Sequence, residues 1–522
     1  LQAYNYHSNK HMKKMNKYIY LFFICIGLSF TACDESHLEV KSPDQLTGEN
    51  FWRNESDAEG GLAAAYSQLE CATSYWGFAE IKFTVELFPS DLIKLGNDAL
   101  NYEDWFSIFN FNSTAGNTQT TQYWNIHYKG INYANQVIEK VGDMSEEQIS
   151  TVAKDKIIAE ARFLRAYYHL KLLLNWEKII LRDDYPKGLS SIDKGVSERS
   201  ECWDFIIADF EAAATKLSES NSTDNIGRAT KWTALGYLGK ANLYYASENA
   251  DATKYTAAKT AFTSVITSGN YSLESSFISM FNGINQNSDE VLFELQLTSN
   301  TDNGAFFKFP YHRWLKPAGM GGWDEIAGSD FLLQEFKKEG KTATDGRFDH
   351  RLYETLFFED DYFNDIANPR IYGKTFNSWW DESGTPRNKT GFRKYLPETL
   401  EELNTNSIGN NIPLLRYADV LLMYAETLNE LNETSAAIPY INAVRARAGM
   451  PAMTGSSKTD VTNQIEHERV CELAMEGSRF HDLRRWGKLN STMTDHGRIG
   501  VSDTSHFFPI PESEINSNNA ID

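Results

Sequence analysis

The chain has 522 residues, 41% of them hydrophobic, and its 71 Asp and Glu outweigh 50 Lys and Arg to give a net charge of −21. An acidic surface of this kind repels nucleic acid and anionic lipid, which excludes a binder of either that works through bulk charge. The cysteines form no CxxC pair and no disulfide framework, which excludes a zinc ribbon or a disulfide-stapled fold.

Lys13, Lys14 and Lys17 precede the apolar run from Tyr18 to Phe30, and Thr31-Ala32-Cys33 closes it. That run is short of the roughly 20 residues that span a bilayer, so it reads as a secretory signal and not a membrane helix. Small residues ahead of Cys33 resemble a lipobox, in which this cysteine is acylated as the first residue of the mature protein. Residues 1–32 then comprise upstream sequence and signal, with the true start at Met12 or Met15, and 33–49 a lipidated tether. Those 32 residues hold four lysines and no acid, so their removal takes the net charge to −25.

Ser56 and Glu59 form a capping box, and Ala58, Leu62, Ala65, Tyr66 and Leu69 continue it as a helical stripe. From Cys71 to Thr121 the pattern is irregular and rich in aromatic and amide residues, as in loops that carry function. Helical spacing returns with Trp124, Tyr128, Ile131, Asn135 and Ile138, and again from Ile157 to Leu172 and from Trp203 to Leu217. Trp232, Leu235 and Gly236, with Ala258 and Phe262, match the two helices of a tetratricopeptide unit. Trp232 and Ala258 are 26 positions apart, against about 16 in a standard repeat, which implies extended connections. Tyr271 to Asn411 largely lacks helical periodicity, and Val291 to Leu297 reads as one short strand.

From Ile412 the helical pattern is strongest. Tyr417, Val420, Leu421, Tyr424, Ala425, Leu428 and Leu431 line one face. After the break at 432–435, Ala437, Tyr440, Ile441, Val444 and Ala448 line a second helix, which Gly449 and Pro451 end. The prediction is a mainly all-α fold of four tetratricopeptide-like helix pairs in a superhelical scaffold, starting near Ser56, Lys154, Ala229 and Leu414. A large loop-rich ligand-binding region and little strand complete it. Residues 50–270 form an N-terminal helical part and 271–522 a C-terminal part, loop-rich over 271–411 with a helix pair at 412–450, in one integrated unit.

The middle region holds the candidate chemistry: Arg313, Trp314, Trp323, Trp379 and Trp380, with Asp381, Glu382, Arg387 and Asn388 nearby. An exposed indole matches the C–H face of a pyranose, and flanking amides, carboxylates and guanidinium groups bond its hydroxyls. Tyr75, Trp76 and Tyr102 extend the set, whereas Trp52, Trp124, Trp203, Trp232 and Trp486 sit in helical patterns and belong to the core. Enzyme motifs fail: there is no G-x-S-x-G elbow, and Glu335 replaces the first glycine of a phosphate loop ending at Gly340-Lys341-Thr342. His467-Glu468 lacks the second histidine of a zinc helix, since position 471 is Cys, and reads as a solvated helical face. Asp360, Asp361, Asn364 and Asp365 lack the glycine-containing loop of a calcium-binding EF-hand. No catalytic residue, metal or cofactor is expected.

The runs Ile412–Asn432, Ala437–Pro451 and ERVCELAMEGSRFHDLRRWGKL (468–489) resemble the C-terminal signature of the SusD/RagB family. SPDQLTGENFW (42–52), Ser90-Asp91 and FPIP at 508–511 match that family at other points. The resemblance implies an outer-membrane lipoprotein, tetratricopeptide-like in its helices, whose loops bind glycan for a SusC-like TonB-dependent transporter. Asp34-Glu35 resembles the surface-export signal of lipoproteins in the phylum where the family is common, which implies a site facing the cell exterior. Two alternatives stay open: the same scaffold capturing peptide, and a helical-repeat adaptor that binds only protein.

Overall fold

The computed structural model describes residues 51–521, apart from 75–76, 97–98, 189–190, 300–307, 385 and 387. Cys33, Tyr75 and Trp76 lie outside the described residues, as do Arg387 and the signal segment. Within the short described part of the first unit, Phe51 and Trp52 meet edge to face at 5.0 Å. The second unit, Asn54–Asp522, contains everything that follows.

The helical stripes resolve into four pairs: α1 Glu55–Tyr66 with α2 Thr118–Gly142, α3 Thr151–Asn175 with α4 Arg199–Lys216, α5 Lys231–Asn249 with α6 Ala252–Thr267, and α7 Tyr417–Glu430 with α8 Thr434–Arg447. Successive pairs also pack on one another, α2 on α3, α4 on α5 and α6 on α7, so one core runs through all four. Trp124, Trp176, Trp203, Tyr168 and Phe163 fill it. Polar side chains start most of these helices: Asn54, Asn117, Ser150, Thr230 and Asp251 each accept from backbone N–H groups of the first turn.

Three expectations need correction. The first cap is Asn54, not Ser56, because the helix begins earlier in the chain and the Asn54 side chain accepts from the Asp57 N–H at 3.1 Å. The excess spacing between Trp232 and Ala258 lies in a 19-residue α5 and not in a long connection. Only Ala250 and Asp251 separate α5 from α6, with Ala250 at φ 53°, a left-handed position. Finally, Ile412–Arg416 is a strand, paired antiparallel with Val291–Leu295, and α7 starts at Tyr417. Pro413 holds Ile412 extended, which the helical reading overlooked.

The region between α6 and α7 is built from short pieces. Helices Tyr311–Leu315, Asp330–Lys337, His350–Thr355 and Phe376–Ser383 alternate with strands of two or three residues. Ile93–Leu95 pairs antiparallel with Ile326–Gly328, which brings the segment after α1 alongside residues 311–328. Gly96 makes that approach possible, since a Cβ there would stand 1.6 Å from the Asp324 carbonyl oxygen. No helix among the described residues is long and apolar enough to cross a membrane.

Candidate functional site

The strand pair brings two aromatic segments together. Helix Glu103–Phe109 presents Trp105, whose ring lies 4.6 Å from that of Trp314 on helix Tyr311–Leu315. Tyr102 tilts over Trp105 with centroids 4.1 Å apart and is 52% exposed. Phe83 closes the inner side against Trp314 at 6.5 Å. The chain then doubles back: the Trp323 N–H donates to the Arg313 carbonyl at 2.7 Å, and the Glu325 N–H to the Trp314 carbonyl at 3.1 Å. This return leaves Trp323 half-buried at the surface, with the Arg313 guanidinium 4.5 Å above its ring. Gly322 permits the turn, because a side chain there would collide with the Lys316 carbonyl.

The expectation of exposed indoles holds at one of the four middle-region tryptophans. Trp323 is partly open, but Trp314 is 2% exposed, Trp379 9% and Trp380 1%. Trp379 and Trp380 lie on helix Phe376–Ser383, whose two turns bury both rings. Trp380 stacks on Phe376 at 3.9 Å, donates from Nε1 to the Lys389 carbonyl, and reaches Gly391 beside Pro317. Trp379 donates to the Ile371 carbonyl at 2.8 Å under the Lys374 ammonium. These rings support the loop that carries Trp323 and offer no stacking face of their own. Of the predicted set the fold brings Tyr102, Arg313, Trp314 and Trp323 into one neighbourhood. Trp105 was missed, although its position three residues after Tyr102 is helical spacing that points both rings to one side. Trp124, Trp203 and Trp232 are core as expected, whereas Trp486 is half-buried and bonds Glu426.

Charges of both signs surround this face: Glu103 and Asp104 follow Tyr102 on its helix, and Arg313 and Lys316 stand beside Trp314. Arg313 donates from Nη1 to the Asn406 side-chain oxygen at 3.2 Å. Lys316 is buried with its ammonium on the Leu403 carbonyl, and burial, aided by the Arg313 charge, brings it down to about 8. His312 is buried against the Thr405 carbonyl, and burial holds it down to about 4, so it is neutral at pH 7. Asp324, next to Trp323, is engaged by Lys389.

The C-terminal signature does something different. His467 and Glu468, expected on a solvated face, are buried, on helix α9 Lys458–Leu473. Glu468 bonds Arg351 at 2.7 Å and Arg445 at 2.6 Å. Glu472 takes Arg416 at 2.8 Å, Arg351 at 3.1 Å and also Arg447. Burial opposes its charge, but the three guanidinium groups outweigh it and hold the carboxyl well below the usual range. Glu476 bonds Arg416 and Lys394, Arg479 bonds Asp91, and Asp482 joins Arg469 to Arg485. The partners outside the signature sit on five different segments of chain, so the signature is a set of buried ion pairs that ties the middle region to the helix pairs.

Glu339, His467 and Glu468 bring one possible ligand atom each within 4.8 Å of one another. The Arg445 guanidinium stands between the two carboxylates at 2.8 and 2.6 Å, so a cation already occupies that position. Asp360 and Asp365 cap turns, and Asp365 bonds Arg370 at 3.1 Å.

Residues 289–522 match the model of the SusD family, and 78–243 match a second model described as starch-binding and associating with the outer membrane. A SusD-like protein, P38, of Formosa agariphila is 25% identical over 92% of this chain and 94% of its own length. A SusD superfamily structure from Bacteroides vulgatus superposes with a TM-score of 0.78 at 24% identity, over 91% of this chain and 99% of that one. A laminarin-binding SusD-like protein gives a TM-score of 0.70 at 22% identity, over 90% and 99%. With the paired helices, the signature ion pairs and both matched regions in agreement, the chain belongs to the SusD family.

Proposed function

We propose that this protein is a cell-surface lipoprotein that captures oligosaccharide or polysaccharide on the face formed by Tyr102, Arg313 and Trp323, backed by the buried Trp105, and delivers it to a SusC-like TonB-dependent transporter of the outer membrane. The observation that carries the reading is Tyr102 exposed over Trp105 in the same neighbourhood as the half-buried Trp323, in a fold whose family includes glycan binders. Flat rings take the C–H faces of sugars, while Arg313 and Asn406 bond hydroxyl groups. Trp314, Trp379 and Trp380 act beneath this face and not on it. Anchoring is assigned to Cys33, which is expected to be multiply acylated, because a single chain binds membranes only reversibly.

The test is titration calorimetry of the protein against a panel of glycans and peptides. A glycan that binds the parent and is weakened by both Tyr102→Ala and Trp323→Ala supports the site; peptide binding alone replaces it with the peptide reading. Cys33→Ala should release folded protein from the membrane fraction. Purification from native membranes in mild detergent should recover a large β-barrel partner, and repeated recovery of a monomer counts against delivery.

A further inference from the structure

Arg313, over the Trp323 ring, differs from the arginines of the ion-pair region in what it faces. Arg351, Arg416, Arg445, Arg447, Arg469 and Arg485 each meet two or more carboxylates. Arg313 meets none among the described residues: its Nη1 bonds an amide oxygen and its plane covers an indole, which leaves Nε and Nη2 without a protein partner there. Lys316, three residues on, also bonds a neutral carbonyl. Of the nearby acids, Asp324 is neutralised by Lys389, Glu325 is buried and Asp104 accepts from the Thr118 N–H, which leaves Glu103, beside Tyr102, exposed. A chain of net charge −21 repels polyanions as a whole. Salt screens that repulsion beyond roughly 8 Å, so at contact the local cations decide.

We infer that the face accepts anionic glycan, a sugar bearing a carboxylate or a sulfate ester, with Trp323 against the ring and Arg313 on the oxyanion. The proposal rests on the glycan-binding reading above and specifies its substrate class. A guanidinium presents two parallel N–H groups that match either anion, and the free Nε and Nη2 are the pair that does so. Trp323 and Asn406 hold the Arg313 side chain, so little conformational freedom is lost when the anion arrives.

The experiment is calorimetric titration of the full chain with three probes: oligogalacturonides for the carboxylate, oligosaccharides of a sulfated galactan for the sulfate, and a neutral β-glucan oligosaccharide. The parent is expected to bind at least one anionic probe tenfold or more tighter than the neutral one at low salt, with the preference shrinking at high salt. Arg313→Gln should erase the preference at unchanged thermal unfolding, and Arg313→Lys should keep part of it. A parent that favours the neutral probe, or an Arg313→Gln variant that keeps the anionic preference, overturns the inference. Neutral binding that depends on Trp323 but not on Arg313 overturns it while the glycan reading stands. If none of the three probes binds, both fall.

Discussion

Two regions of this molecule handle arginine in opposite ways. Around α9, guanidinium groups are sealed from water and each is matched by carboxylates on other segments, as Arg416 is by Glu290, Glu472 and Glu476. Around residues 311–325, Arg313 reaches the surface and rests on an amide and an aromatic ring. Burial makes the first kind of charge dependent on its partners, because an ion taken out of water must be paired to remain an ion. Exposure leaves the second kind available to something outside the chain. The difference separates arginines that hold the fold from one left accessible at the surface, which residue type alone does not do.

The comparison can be broken most forcefully at Arg416. Arg416→Met takes one cation away from each of three carboxylates, leaving Glu290 with Arg447 alone and Glu476 with Lys394 alone, and should cost about 3–5 kcal/mol, read as a fall in the urea unfolding midpoint. A loss below about 1 kcal/mol would mean that the ion pairs are not structural. Trp380→Ala comes next, with an expected loss of about 3 kcal/mol, because its ring packs on Phe376 and beside Pro317 and Gly391. Trp380→Phe should recover part of the stability by refilling the space.

Trp323→Ala sharpens the contrast from the other side. It should weaken a bound glycan by about 1–3 kcal/mol while shifting unfolding by less than about 0.5 kcal/mol. Calorimetry and thermal unfolding on one preparation decide whether the ring serves ligand or packing. If stability falls and affinity holds, the face is misplaced.

The smallest expected effect is a pH dependence at the edge of the ion-pair region. Burial would raise Glu335 and Glu339, but hydrogen bonds from His467 and Lys338 to the first, and from Arg445 and Gln464 to the second, hold both down at about 2. A carboxylate depressed in the folded state stabilises fully above its unfolded value and loses that contribution as pH falls through the folded one. The Glu335 and Glu339 contributions should therefore be complete above about pH 5 and drain between about pH 5 and 2. Unfolding midpoints taken at pH 6 and pH 3 measure this, and Glu335→Gln should reduce the difference between them.

The helix pairs were legible in the sequence because each presents a long apolar stripe, and stripes of three or more turns survive local irregularity. The middle region was not, since helices of five to eight residues are too short for periodicity to separate them from loops. That is why Trp379 and Trp380 read as a loop platform: only the fold shows that helix Phe376–Ser383 packs both rings inward. Tyr102 and Trp323 were chosen on chemistry alone, and the fold leaves the first exposed and the second half-buried. The buried ion pairs were hidden for another reason, because Glu468, Glu472 and Arg469 on a helix look like a wet face until Arg351, Arg416 and Asp419 arrive from elsewhere. Three cysteines left unassigned by spacing, Cys71, Cys202 and Cys471, are free and buried, and burial pushes the first two up to about 12.

The turn at Gly322 has a consequence for how such a protein could diversify. It fixes where the backbone of Trp323 stands without constraining that side chain, since the crowding is between Gly322 and Lys316, whereas Asp324, at φ 56°, holds a left-handed position that few residue types favour. Substitutions at 313, 323 and 324 touch none of the α9 ion pairs, so their energetic effects should add to those of core changes and not compound them. A lineage could in this way change what the face accepts by rewriting a few half-buried positions, with the frame that presents them inherited intact.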